Sequence, residues 1–254
     1  MKTAGKIANY HNVADLEAHY ATRDQQAAKI IAILQDYLGN ELSNLAAVEI
    51  GCSGGGITVP LAKVFGSVIG IDVDSAAVQK ASSQPHPANV RYLVVGFAYP
   101  LKSESFDVVV CTQVYEHTTR QGVLINEIWR LLRPGGTCFF SGPNRLALVE
   151  PHYWLPFLSW LPQRFADAYM RLARRGPAYD IYPHSYWQLK RLLNRFKIVD
   201  YNLRILKEPD RFALDERYRS SIIVRRAPAE LFGLFGPFMP NFNWILSKPE
   251  KGLP

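Results

Sequence analysis

The sequence predicts an α/β fold, a doubly wound parallel sheet with helices on both faces. Three observations predict it. The strand-like segments are apolar throughout, as in sheets covered on both sides. Amphipathic helical segments alternate with them. A glycine run then breaks the chain directly after the first strand, and an acid closes the second.

In chain order, residues 24–38 place Ala27, Ile30, Ile31, Leu34, Tyr37 and Leu38 on one helical face, with Gly39 as a stop. LAAVEI (45–50) is a buried strand, and ITVPLAKVFG (57–66) is the helix after the glycines, its Pro60 tolerable only in the first turn. SVIGID (67–72) is a strand and SAAVQKASS (75–83) a helix begun by Ser75. VRYLVV (90–95) and FDVVVCT (106–112) are strands. Helix 121–133 stops at Pro134-Gly135-Gly136, and TCFFSG (137–142) is a fifth strand. The βα rhythm then breaks. It resumes with a helix over 184–196, a strand over 197–206 and a final strand over 241–249. We read 1–254 as a single domain: an N-terminal helical cap (1–44), a core (45–142), and insertions at 143–184 and 207–240 that form a lid. Neither insertion is long enough to close a core of its own.

The 254 residues are 48% hydrophobic and 20% charged, which excludes wholesale disorder. Three scattered cysteines exclude a disulfide framework and suit a reducing, cytoplasmic setting. No apolar leader or membrane-length apolar run is present in this sequence. Charge is unevenly divided. Residues 1–142 hold 11 Lys+Arg and 12 Asp+Glu, while 143–254 hold 18 and 10 and carry 19 of the 31 aromatics. Such asymmetry suggests two jobs, the basic aromatic part meeting an acidic, lipidic or nucleic-acid partner.

The segment VEIGCSGGGIT (48–58) carries Gly51, Gly54, Gly55 and Gly56 between a strand and a helix, where the backbone can approach a ligand closely. Glu49 sits inside an apolar strand end, where an unpaired carboxylate is costly. Asp72 ends the next strand, placed to accept hydrogen bonds from ribose hydroxyls. No Lys-Ser or Lys-Thr follows the glycines, which excludes a P-loop.

VEIGCSGGGIT, VIGIDVD, SFDVVVCTQVYEHT and LLRPGG, in this order and spacing, resemble the class I S-adenosylmethionine-dependent methyltransferases, small-molecule type, similar to the quinone-biosynthesis group. The resemblance implies a Rossmann-like seven-stranded sheet, mostly parallel with the last strand antiparallel. It implies S-adenosylmethionine as cofactor, S-adenosylhomocysteine as product, and no metal. It places Glu49 near the methionine amino group, Gly51, Cys52, Ser53, Gly54 and Gly55 along methionine and ribose, and Asp72 on the ribose hydroxyls, with Val73 beside it. Thr112, Gln113 and Val114 would flank the sulfur. Two departures stand out. Ser53 replaces a usual glycine, so its backbone should avoid strongly positive φ. No acid follows the third strand, so adenine would be held by Phe97 and by backbone groups of Phe97 and Ala98.

His117 reads as a general base, since its pKa lies near neutrality, or with Glu116 as a cap and scaffold for the next helix, the stronger reading. His152 and His184 are rival bases. Tyr20, Tyr115, Tyr153, Trp154 and Tyr186 are the expected acceptor contacts. No His/Cys/Asp cluster shows metal-ligand spacing in the chain.

In the 150–176 stretch, Phe165, Ala168, Tyr169 and Leu172 fall on one helical face, with Arg164, Arg171, Arg174 and Arg175 largely elsewhere. It reads first as an acceptor lid, next as an interfacial helix on anionic lipid, and last as a nucleic-acid surface. A homodimer interface stays open as well. The leading function is methyl transfer to a small-molecule or lipid- or glycan-linked acceptor, on oxygen. An RNA methyltransferase and a non-catalytic cofactor-binding protein are the alternatives.

Overall fold

A computed structural model describes residues 13–96, 98–214 and 236–250, with side chains from residue 23 onward. Tyr20, Phe97 and most of the second insertion therefore lie outside the described side chains.

Seven strands form one sheet: β1 (Ala46–Ile50), β2 (Ser67–Asp72), β3 (Val90–Val94), β4 (Phe106–Thr112), β5 (Leu132–Pro143), β8 (Lys197–Asp200) and β9 (Asn241–Ser247). A separate hairpin pairs β6 (Val149–Glu150) with β7 (Leu155–Pro156). The sheet order is β3-β2-β1-β4-β5-β9-β8. Strands β1 to β5 run parallel, and β9 runs antiparallel to both β5 and β8. The chain reverses direction across the sheet at β1, between β2 and β4, which is where doubly wound sheets open a crevice at their carboxyl edge. The expected seven-stranded Rossmann-like fold, last strand antiparallel, is therefore found.

Helices cover both faces. On one, α1 (Val13–Leu38), α2 (Thr58–Ala62) and α7 (Asn202–Lys207) bury Ile30, Leu34, Leu61 and Ile205 against Val108, Val110, Phe139 and Ile245. On the other, α4 (Gln121–Leu131) and α6 (Tyr186–Leu192) bury Leu124, Ile128 and Leu189 against Val109, Cys111, Phe140 and Trp244. The period-two alternation assigns each strand residue to a face. It carries Thr112, Ser141 and Asn243 to the α1/α7 side at the carboxyl edge. Helix α3 (Ser75–Ser83) has the predicted bounds, but its N-cap is Asp74, whose side chain accepts from the Ala76 and Ala77 amides.

Three expectations need correction. The strand read over 197–206 stops at Asp200, and α7 follows. The Asp200 carboxylate accepts the Asn202 amide at 2.9 Å and starts a helix that its apolar composition hid. In α5 (Gln163–Leu172) the buried face is Ala166 and Met170, not Phe165 and Leu172, which are exposed. The first insertion also closes an apolar cluster of its own, built by Leu155, Leu158, Ala166, Met170, Tyr179 and Ile181.

Candidate functional site

The glycine turn is clamped to the end of β2. The Gly51 and Cys52 amides both donate to the Ile71 carbonyl, at 2.8 and 3.0 Å. Asp72 closes the clamp: one carboxylate oxygen accepts from the Ser53 amide at 2.7 Å and the other from the Asp74 amide at 2.9 Å. Ser53 is drawn into the left-handed region at φ +46°, a smaller positive value than the +80° and +81° of Gly51 and Gly55. The charge-assisted bond to Asp72 offsets the strain.

Each glycine has its own reason. Gly51 has φ +80°, and a Cβ there would lie 2.5 Å from Val114 Cγ2. Gly55 has φ +81° and lies against the Tyr92 hydroxyl. Gly54 faces open space, with nothing within 4 Å of a Cβ. A methyl group on Gly56 would come within 3.2 Å of Arg23, so an α1 arginine lies along the turn.

Glu49 is buried on β1 and accepts the Thr58 hydroxyl at 2.5 Å. Burial pushes its carboxyl up to about 7, with Thr58 and Arg23 pulling the other way. Val73 is 70% exposed directly beyond Asp72, an apolar platform at the carboxyl edge, and Ala98 is exposed nearby in sequence. The Cys52 thiol is buried, and burial raises its pKa. Gln113 adopts φ +54° at the end of β4, its amide donating to the Ser141 carbonyl at 2.8 Å.

A cavity of about 270 Å³ opens on the α1/α7 side of this edge. Its floor is Thr112, Gln113, Ser141 and Asn243, and its walls include Lys29, Asn202, Ile205 and Asn241. Thr112 and Gln113, expected near the methyl donor, thus open onto it.

Of the other expected acceptor residues, Tyr115 and Tyr186 pack on the α4/α6 side, and none whose side chain is described lines this cavity. Tyr115 is buried, donates to the Pro143 carbonyl, and packs on Phe140 at 5.4 Å. Gly142 leaves room for its ring. His184 stacks on Tyr115, its amide donating to the Tyr115 hydroxyl at 3.3 Å, and burial lowers its pKa. Tyr186 packs on Trp244 at 5.5 Å. The Tyr153 hydroxyl donates to Asp180 at 2.5 Å, and Trp154 is 63% exposed.

Glu116 is fully buried and neither of its oxygens has a hydrogen bond; His152 Nε2 and His117 Nε2 lie 3.6 and 3.8 Å from Oε1. Burial pushes the Glu116 carboxyl up to about 7. Burial also lowers the His117 pKa, and His152 nearby lowers it further. For His152 burial works against the cation, but the 2.9 Å bond to Glu150 and the surrounding carboxylates leave its pKa raised. The Glu116, His117 and His152 ligand atoms lie within 4.8 Å of one another and could hold a metal ion. Sequence spacing did not show this grouping, because His152 arrives on the insertion. The Tyr182 amide donates to the Glu116 carbonyl at 2.8 Å, so the strand-four loop also anchors the insertion.

Comparison with known proteins matches residues 48–140 to the family described as "Methyltransferase domain". Residues 48–140 of this chain are similar to a methyltransferase domain. Curated relatives include the mitochondrial ubiquinone biosynthesis O-methyltransferase of Mus musculus, 29% identical over 151 residues (57% of this chain, 40% of that protein). A Bradyrhizobium enzyme of the same name is 29% identical over 167 residues, covering 63% of this chain and 64% of that protein. The chain thus spans under two thirds of the length of either relative. Solved structures share the methyltransferase fold. An S-adenosylmethionine-dependent methyltransferase from Mesorhizobium loti has TM-score 0.53 at 15% identity, covering 82% of this chain and 93% of its own. The plantazolicin methyltransferase BpumL, in complex with a substrate analogue and S-adenosylhomocysteine, has TM-score 0.60 at 15% identity, covering 93% and 87%. The methyltransferase domain match ends two residues before Gly142.

Proposed function

We propose that the chain is an S-adenosylmethionine-dependent methyltransferase acting on oxygen of a small or lipid-linked acceptor, in keeping with the O-methyltransferases among its relatives. The observation that carries the reading is the pair of acids, Glu49 and Asp72, on adjacent strands around a turn whose Gly54 faces open space. The residues fit the cofactor: Asp72 for ribose hydroxyls, Val73 for the adenine face, and Glu49 for the methionine ammonium. When bound, S-adenosylmethionine supplies a methyl group on a positively charged sulfur, already a strong electrophile. The protein's task is therefore mainly alignment of the acceptor. Glu116, His117 and His152 serve in this reading as the tie between the strand-four loop and the insertion.

The Glu49 environment gives a test. A carboxyl raised to about 7 is partly protonated at neutral pH, and a cation set beside it restores its charge. Calorimetric titration with S-adenosylmethionine at pH 7, in buffers of different ionisation enthalpy, is expected to show net proton release. Release should vanish near pH 9 and in Glu49→Gln. Equal heats in all buffers would refute the assignment. In the unliganded protein the sign is fixed too. The folded pKa exceeds the ordinary 4.5, so the folded state binds the extra proton, and stability falls as pH rises from about 4.5 to about 7.

The exposed apolar residues of the first insertion, Trp154, Phe157, Trp160, Phe165 and Leu172, favour peripheral contact with an anionic membrane, with arginines 164, 171, 174 and 175 in the same insertion. No helix among the described residues is long and apolar enough to cross a membrane. The protein should co-sediment with vesicles containing phosphatidylglycerol and be released by salt. Equal recovery on purely phosphatidylcholine vesicles would remove the electrostatic reading.

A further inference from the structure

We propose that the cavity between α1, α7 and the β4–β5–β9 edge is the acceptor site, and that Lys29 makes it selective for an apolar acceptor carrying an anionic oxygen group. This rests on the methyltransferase reading and adds the acceptor's charge class and the residue that selects it.

Among the described residues that line the cavity, Lys29 is the only charged one. Among the described residues it has no hydrogen bond or ion pair, and burial alone lowers its pKa. A desolvated ammonium without a partner is costly, and an anion beside it offsets that cost. A second, independent observation lies across the cavity. Asn202 is 9% exposed and its Nδ2 has no hydrogen-bond partner. Its Oδ1 accepts from Asn243 Nδ2 at 2.7 Å, and Asn243 Oδ1 accepts the Ser141 hydroxyl at 3.4 Å. This chain of amides fixes the orientation of Asn202, so what it presents is an N–H donor. Native proteins rarely leave such a donor orphaned, and a ligand oxygen would satisfy it. The Asp200 carboxylate lies beside Asn202, so the Lys29 ammonium is what specifies an anion, and Asn202 adds a donor at its side. The walls around them are apolar, with Phe139 and Ile205 among them, which suits a ring or alkyl body. Asn241 Oδ1, also buried and unpaired, offers an acceptor to a hydroxyl on the same ligand.

The test uses 4-butylbenzoate and its neutral counterpart 4-butylbenzamide as probes, with binding to the full chain followed by calorimetry. The benzoate is expected to bind at least tenfold more tightly. Lys29→Met should bring benzoate affinity down to the benzamide level, leave S-adenosylmethionine affinity unchanged and the thermal midpoint no lower than wild type, and Lys29→Arg should keep the preference. The inference is overturned if the two probes bind alike, if neither binds, if Lys29→Met keeps the benzoate preference, or if that variant loses S-adenosylmethionine. Failure of the wild-type chain to bind S-adenosylmethionine, with benzoate selectivity intact, would instead overturn the methyltransferase reading alone.

Discussion

Asp72→Ala is expected to lower S-adenosylmethionine affinity about 100-fold or more. Two ribose hydroxyls would lose a charged acceptor, and hydrogen bonds to charged groups are worth about 1.5–3 kcal/mol each. The structure adds a second loss. The same carboxylate holds the Ser53 amide at 2.7 Å while Ser53 sits at φ +46°. Without it the turn relaxes toward an ordinary conformation, and the cofactor must rebuild it on binding. Asp72→Asn separates the two effects. An amide oxygen can still accept from one partner, so its affinity should fall between wild type and alanine. Calorimetry showing undiminished affinity in Asp72→Ala would refute both the site and the clamp.

The second large effect separates two neighbouring glycines. Gly51→Ala combines φ +80° with a Cβ 2.5 Å from Val114 Cγ2. Left-handed backbone costs a non-glycine residue about 1–2 kcal/mol. Overpacking against a branched side chain adds about 1–3 kcal/mol. Chemical denaturation should therefore show a loss of about 2–5 kcal/mol. Gly54→Ala meets nothing within 4 Å, so its stability should match wild type. Its methyl group instead enters the space assigned to the cofactor, and S-adenosylmethionine affinity should drop. A Gly54→Ala protein that is destabilised yet binds normally would reverse both assignments.

The turn assigned to the cofactor was largely legible in the sequence because its signals are local. Glycines follow one strand, an acid ends the next, and Glu49 interrupts an apolar run within a few residues. The bounds of β2, β4 and α3 follow from the same local patterning. The cavity proposed for the acceptor was not legible, because it is assembled from distant pieces. Lys29 on α1, Ser141 on β5, Asn202 on α7 and Asn243 on β9 each look ordinary in the chain. Only the alternation of the strands brings them to one face. Two signals could have helped. Lys29 lies beside the helical stripe that includes Ile30, and Asn243 interrupts the otherwise apolar FNWIL segment. The misread strand at 201–206 concealed Asn202, since an asparagine in a strand suggests an edge rather than the start of a helix. His152 and His184 suit general-base chemistry by type, and the fold sets them beside Glu116 and Tyr115, respectively.

The antiparallel pairing of β9 with β5 has a consequence for biosynthesis. Ser141 and Asn243, which meet in the cavity floor, are 102 residues apart. At about 5–20 residues per second, a ribosome that has released β5 needs about 5–20 s more before β9 follows. During that interval β1 to β5 can pair, and the glycine turn can form its clamp on β2. The outer edge of β5, with its unpaired amides and carbonyls, stays open to any other strand. The nascent chain can therefore form the turn assigned to the cofactor before β9 completes the floor of the cavity, and its period of greatest exposure to mispairing falls between the two.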